Sequence, residues 1–193
     1  QVERLLNAHT AESVAELSQL VLDSGEVALY EVLLKGTRLA EHGRGWVFGR
    51  RLRGASRNQA AYEDLILDLL ATAPADSTAE AMRKEVRTLE LQRYGRFDLR
   101  VGRLVAFEAL ERLLLRGEHA RTHDLDVLGS LSTLRRLTLW IRSLPDLSCL
   151  EGSQVRWLDA STVQSLVGMP DLPELRHLAL HTPTGLEPLV RSA

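Results

Sequence analysis

The residues with the greatest chemical potential in this 193-residue chain are two histidines next to two aspartates in the segment His119–Asp126. On one face of a helix, the four-residue spacing of His119 and His123 would let two imidazoles share a zinc ion. The leucine pattern described below places them on a loop instead, where that spacing does not bring side chains together. We therefore predict neither a metal site nor a cofactor.

Sequence motifs of catalysis are absent. The chain has no phosphate-binding G-x-x-x-x-G-K-[ST] loop, no G-x-S-x-G, no H-E-x-x-H and no pair of cysteines. Gly43–Gly49 is glycine-rich, but it has one residue too many between its second and third glycines for a dinucleotide-binding loop. The single cysteine, Cys149, has apolar neighbours, which favour a small core side chain over a nucleophile. We predict that the chain is not an enzyme.

Composition excludes two further classes of protein. With 26% charged residues and no apolar run near the roughly 18 residues that cross a bilayer, the chain has no predicted membrane span. Its 45% hydrophobic content excludes a disordered chain. The lone cysteine and the lack of a secretion signal lead us to expect a cytoplasmic protein. Because the chain begins with Gln1 rather than Met, we expect it to be trimmed or partial.

Leucine is the element of composition that predicts a fold, because it supplies 39 residues against nine for Phe, Trp and Tyr together. A core built from one aliphatic side chain packs well on a regular lattice, which points to internal repeats. Five segments fit the template L-x-x-L-x-L, with Val or Ala allowed at a Leu position. These segments are Val86–Leu91, Leu110–Leu115, Leu134–Leu139, Val155–Ala160 and Leu175–Leu180. Their central leucines recur at steps of 24, 24, 21 and 20 residues.

Over about residues 83–193 the chain thus resembles the leucine-rich repeat family, whose repeats are 20–29 residues long. The resemblance implies a solenoid of about five repeats, in which each strand points alternate leucines inward and adjacent strands form a short parallel sheet. Threefold spacing of leucines between the strands predicts returns made of 3-10 turns or single short helices. The family's usual Asn or Cys after each strand is replaced, so we expect irregular turns. The residues at those positions are Glu118, Arg142, Val163 and Pro183.

The first 80 residues show a helical period. Val14, Leu17 and Val21 predict one amphipathic helix after Thr10, a second follows over 27–36, and a third runs from Ser56 to Pro74. The glycine-rich segment 36–54 predicts a short strand or hairpin that crosses the helical layer. We therefore predict an α/β fold with an N-terminal helical capping domain over residues 1–82 and repeats over residues 83–193.

The segments Leu29–Gly36 and Arg51–Ser56 extend the likeness. In them the chain is similar to bacterial leucine-rich repeat proteins with an N-terminal helical module, often found in chains with a tryptophan-glycine-arginine-type domain. This resemblance implies a bacterial cytoplasmic scaffold that acts through interaction.

The outward positions of the five predicted strands form three rows on the concave face of such an array. The first row is Thr88, Arg112, Arg136, Trp157 and His177; the second is Glu90, Leu114, Thr138, Asp159 and Ala179; the third is Gln92, Arg116, Trp140, Ser161 and His181. Tryptophan and arginine are enriched at binding hot spots, so we predict a protein partner bound on this face. The candidate partner-binding residues are Trp140, Trp157, Arg112, Arg116, Arg136, His177 and His181. The alternative is that the tryptophans pack over neighbouring strands and the arginines are ordinary solvated charges.

A basic segment provides the second functional hypothesis. Lys35–Arg57 holds seven basic residues and one acidic residue in a chain whose net charge is −2. Arg50, Arg51 and Arg53 are the candidate residues for binding an anion or nucleic acid. Acidic residues on adjoining helices could neutralise the segment instead, and no nucleic-acid-binding motif accompanies it.

Overall fold

The structure is a computed structural model that describes residues 1, 4, 11–24, 39–42, 45–48, 64, 66–93, 98–117, 121–167 and 169–181. The predicted second helix, over 27–36, lies outside the described residues, as do Thr10, Ser56 and the C-terminal residues 182–193. Within the described part, the chain is a mixed α/β protein with few helices and a parallel sheet at its centre.

Two helical predictions can be compared with the structure directly. Helix α1 spans Ala11–Ser24 and buries Leu17, as its amphipathic pattern predicts. Residues 66–71 are helical and end before Pro74, with Ile66 and Leu69 fully buried. Both helices therefore present leucine or isoleucine to the core.

Helix α2, Thr78–Glu85, was not predicted. The Ser77 hydroxyl accepts a hydrogen bond from the Glu80 backbone N–H at 3.1 Å, and the Glu80 carboxylate accepts one from the Asp76 backbone N–H. A serine followed three residues later by glutamate is the capping-box spacing. This capping box lies between Pro74 and Val86, where the first leucine template segment begins.

Among the described residues, nine strands form two sheets. The strands are β1 Leu39–His42, β2 Gly45–Phe48, β3 Thr88–Arg93, β4 Asp98–Arg100, β5 Arg112–Gly117, β6 Arg121–His123, β7 Arg136–Leu144, β8 Trp157–Val163 and β9 His177–His181. The main sheet has the order β1-β2-β3-β5-β7-β8-β9, and β4 pairs with β6 in a small second sheet. The five strands β3, β5, β7, β8 and β9 pair in parallel, which confirms the predicted parallel sheet.

The register of these five strands aligns the central leucine of every template segment. Leu89 pairs with Leu113, Leu113 with Leu137, Leu137 with Leu158 and Leu158 with Leu178. The inward leucines are almost completely buried up to strand β8, whereas Leu178 on β9 is 41% exposed. No described strand pairs with the outer edge of β9, so the core thins at this end of the described sheet.

The same pair of backbone hydrogen bonds recurs at the start of strands β5, β7, β8 and β9. The Arg87 carbonyl accepts from the N–H groups of Glu111 and Arg112, at 2.8 and 2.9 Å. The carbonyls of Glu111, Arg135 and Arg156 accept in the same way from the two residues at the start of the next of these strands. This continuous backbone ladder satisfies the polar groups at the start of each strand and helps to hold the strands in register.

The returns between strands are short, as the threefold leucine spacing predicts. A 3-10 helix at Gly102–Ala106, helix α3 at Val127–Ser130 and a 3-10 helix at Ser148–Leu150 each bury one leucine. The turns are irregular as well, since strands β4 and β6 form their own pair and the pairing of β7 with β8 shifts after Trp140.

The predicted hairpin exists as strands β1 and β2, which pair antiparallel. Its position differs from the prediction, because β2 pairs with β3 at Trp46 and Leu89 and so extends the edge of the sheet. The hairpin is therefore part of the sheet and does not cross a helical layer.

Arg103, in the 3-10 helix Gly102–Ala106, joins this return to the helical segment. Its guanidinium, only 10% exposed, binds the carboxylates of Asp64 and Asp68 and the Asp64 carbonyl. The described helices include none that is both long and apolar enough to cross a membrane.

Candidate functional site

The outward side chains of the five parallel strands form one surface, which we call the strand face. Pairing places Thr88, Arg112, Arg136, Trp157 and His177 in one line across the sheet. The second and third predicted rows are also in register, through Asp159 and Trp140 respectively. Because neighbouring strands lie about 4.8 Å apart, each row brings its side chains within contact distance of one another.

Trp157 lies in the middle of a stack that crosses three strands. The Arg136 guanidinium carbon is 3.9 Å from the Trp157 ring centroid, and the His177 ring centroid is 4.1 Å away at an interplanar angle of 38°. Trp157 nevertheless remains 36% exposed. The stack fixes the ring orientation and leaves part of the indole open to contact.

Trp140 is held by a second set of contacts in the third row. The Arg116 guanidinium carbon is 5.3 Å from its ring centroid, and the indole N–H donates to Asp159 Oδ1 at 3.3 Å. The same carboxylate oxygen lies 3.3 Å from His181 Nε2. Trp140 is 37% exposed, so it too is oriented but not covered.

The three arginines of the strand face carry charge that no described carboxylate neutralises. Within the described ranges, Arg112, Arg116 and Arg136 form no ion pair, although four arginines elsewhere do. Two of the three stack on tryptophans, an attraction that leaves the positive charge in place. The strand face therefore combines aromatic surface with cationic hydrogen-bond donors.

A shallow depression of about 230 Å³ lies beside this aromatic cluster. Its lining residues come from strands β3, β5 and β7: Thr88, Leu89, Glu90, Arg112, Leu113, Leu114 and Arg136. A small-molecule site normally offers about 300–1,000 Å³, so this depression suits a single side chain better than a cofactor.

The other predicted candidates are the basic segment and the two histidines. Arg50, Arg51 and Arg53, proposed for anion binding, lie outside the described residues, as does His119. His123 lies on strand β6, where its Nε2 is 3.4 Å from Asp98 Oδ1, and both side chains are about half exposed. The structure as described contains no group of three His, Cys, Asp or Glu residues placed to hold a metal.

Cys149 packs against the hydrophobic core. Burial, with a smaller contribution from the Asp146 charge, raises the pKa of its thiol to about 11. A thiol of that pKa is almost fully protonated at neutral pH, which makes it a poor nucleophile. The position agrees with the predicted role as a small core residue.

Sequence reasoning placed Asp159 in the second row but gave it no role. In the structure it connects two rows, because it accepts from Trp140 and lies against His181. The sequence signal for this contact was the diagonal position of Asp159 relative to Trp140. Ser161 on β8 is the register partner of Trp140, and Asp159 precedes Ser161 by two residues. Cross-strand diagonals are within reach of long side chains.

Compared with protein-family models, curated proteins and solved structures, this chain has no match in any of the three.

Proposed function

We propose that residues 83–193 are a short solenoid of about five leucine-rich repeats, capped by the residues before them. The in-register leucines, the repeated backbone hydrogen bonds and the short returns support this assignment. The ion pairs of the part-buried Arg103 with Asp64 and Asp68 support a fixed cap on the first return.

The function we propose is non-enzymatic: the chain binds a protein partner on its strand face, the concave face of the solenoid. The observation that carries the proposal is the pair of oriented, part-exposed tryptophans, each stacked with an arginine. Rigid aromatic groups give large contact area for little loss of side-chain freedom, and their contacts here fix them before a partner arrives. The resemblance to bacterial repeat proteins adds a cytoplasmic scaffolding role to the proposal.

The test is selection of a displayed random-peptide library on the wild-type chain, followed by binding of the selected peptides to the double variant W140A/W157A. We expect the double variant to lose binding by tenfold or more. The control V105A/V167A removes two apolar side chains that are 60% and 86% exposed outside the sheet, and it should bind as the wild type does.

Thermal unfolding must accompany the binding assay. Loss of two part-exposed cation–π contacts should cost about 1–2 kcal/mol, and loss of the buried part of each indole about 1–2 kcal/mol per residue, so the Tm should fall by roughly 6–24 °C while unfolding stays cooperative. Binding that survives in W140A/W157A contradicts the proposed face. Collapse of cooperative unfolding would instead identify the tryptophans as core residues, and the proposal would fail on that result too.

A further inference from the structure

We propose that the strand face recognises an extended acidic segment of its partner: Arg112 and Arg136 bind one carboxylate, and Trp157 packs against an apolar side chain two residues away. This inference rests on the proposed function and specifies the chemistry of the partner.

Two positive charges are paired unfavourably on the strand face. Arg112 and Arg136 are direct cross-strand partners in strands β5 and β7. Like charges at directly opposite positions destabilise a sheet. No described carboxylate lies within ion-pairing distance of either, so no direct ion pair within the described chain neutralises these two charges. A carboxylate placed between the two guanidinium groups would relieve their repulsion.

The guanidinium groups of Arg112 and Arg136 have unused hydrogen-bonding capacity. Arg136 lies over the face of Trp157, a contact that engages its π surface. Neither guanidinium donates a hydrogen bond to any described residue. An arginine offers five N–H donors in a planar fork that matches a carboxylate, so both side chains retain the donors needed to bind one.

The depression lined by strands β3, β5 and β7 has a size that suits one side chain. Both arginines line it, and its volume of about 230 Å³ accommodates one acidic side chain. Glu90 lines the same depression. Its negative charge disfavours a second anion there. Asp159, which contacts Trp140 and His181, places a further carboxylate on the strand face and disfavours an additional anion beside them. Interspersed acids of this kind suit a peptide with a single carboxylate and disfavour a continuous phosphate backbone.

The spacing of the partner's residues follows from the spacing of the strands. Strands lie about 4.8 Å apart, so Trp157 is about 7 Å from the midpoint between Arg112 and Arg136. Residues i and i+2 of an extended peptide present side chains on the same side at about 6.6–6.8 Å. A peptide that crosses the strands would thus place Asp or Glu on the arginines and an apolar side chain on Trp157.

The experiment compares peptides selected on the wild-type chain with versions in which each acidic residue is changed to Gln or Asn. We expect selected peptides to carry an acidic residue two positions from an apolar one, and the amide version to bind about tenfold more weakly or worse. In the variant R112Q the preference for the acidic over the amide peptide should shrink markedly, because one of the two guanidinium groups that bind the carboxylate is gone. R121Q removes the same charge from strand β6 and should keep the full discrimination. R112K, with a charge but no planar fork, should recover only part of it.

Three results would overturn the inference. Selected peptides that need Trp140 and Trp157 but show no preference for acid would refute the carboxylate site and leave the proposed function standing. Selected peptides indifferent to both tryptophans would refute the proposed function as well. Displacement of the bound peptide by a single-stranded oligonucleotide of higher affinity would assign the arginines to phosphate. R112Q should unfold at or slightly above the wild-type Tm, so a folding defect cannot imitate the predicted loss.

Discussion

Stacked arginines distinguish Trp140 and Trp157 from tryptophans that simply lie on a surface. Each indole is restrained by a guanidinium, and each has a second restraint, His177 for Trp157 and Asp159 for Trp140. Side chains fixed in this way lose little entropy on binding. About one third of each ring stays exposed, which is the part that a partner could cover.

Cys149 leads to a pH-dependent prediction at the residue level. Burial raises the pKa of its thiol from an ordinary value of 9.0 to about 11. Between these values the unfolded chain has lost a proton that the folded chain still holds, so the free energy of unfolding falls as pH rises from about 9 to 11. C149A should remove that part of the pH dependence.

Urea unfolding of wild type and C149A at several pH values from 8 to about 11 measures this effect. Taking the difference between the two proteins cancels the titration of every other group. We expect the difference in free energy of unfolding to be constant below about pH 9 and to shrink above it. A difference that stays the same over the whole range would show that the folded thiol titrates normally.

Gly129 and Gly152 lie on neighbouring returns between strands, and substitutions at these glycines measure how closely the returns pack. A Cβ at Gly129, in helix α3, would lie 2.2 Å from the Glu151 carbonyl oxygen. A Cβ at Gly152 would meet nothing closer than 4.0 Å, but this residue has a φ of +77°. The first glycine is required by a backbone contact between neighbouring returns, and the second by its own conformation.

G129A should therefore destabilise by about 2 kcal/mol or more, because backbone must move to admit the methyl group. G152A should cost about 1 kcal/mol, the penalty of a left-handed residue with a Cβ, and G152N should cost less. Urea unfolding midpoints at an unchanged m-value give the ranking. If G129A is no worse than G152A, the returns are not in close contact.

The elements also show where sequence reasoning succeeds and where it cannot. The leucines at 89, 113, 137, 158 and 178 predict the parallel strands because each strand must bury them on one side. Helix α2 escapes such reasoning, since Ala79 is its only residue described as buried and no apolar period results. Strands β4 and β6 pair through backbone over three residues each, and backbone pairing leaves no pattern in side chains.

The candidate site divides in the same way. Period and register predict the three rows of the strand face, residue by residue. The stack of Arg136, Trp157 and His177 depends on side-chain rotamers, which the spacing of residues does not encode. The bridging position of Asp159 likewise arises from a diagonal contact between strands.

For the whole molecule, the two ends of the described sheet differ. The hairpin of β1 and β2 extends the sheet beyond β3, and Arg103 ties the adjoining return to the helical segment. Strand β9 has no described neighbour on its outer side. The strand face spans the five parallel strands from β3 to β9, so the proposed partner surface reaches the less buried end of the described sheet.

The central proposal is that the strand face binds the partner. One measurement of tryptophan fluorescence tests it, because Trp46 can be replaced. The chain has three tryptophans, so W46F leaves emission from Trp140 and Trp157 alone. Titration of W46F with a peptide selected on the wild-type chain should shift that emission to shorter wavelengths and saturate at the dissociation constant measured by calorimetry. Peptide binding detected by calorimetry, with no change in tryptophan emission, would contradict the account, because the partner would then lie elsewhere on the molecule.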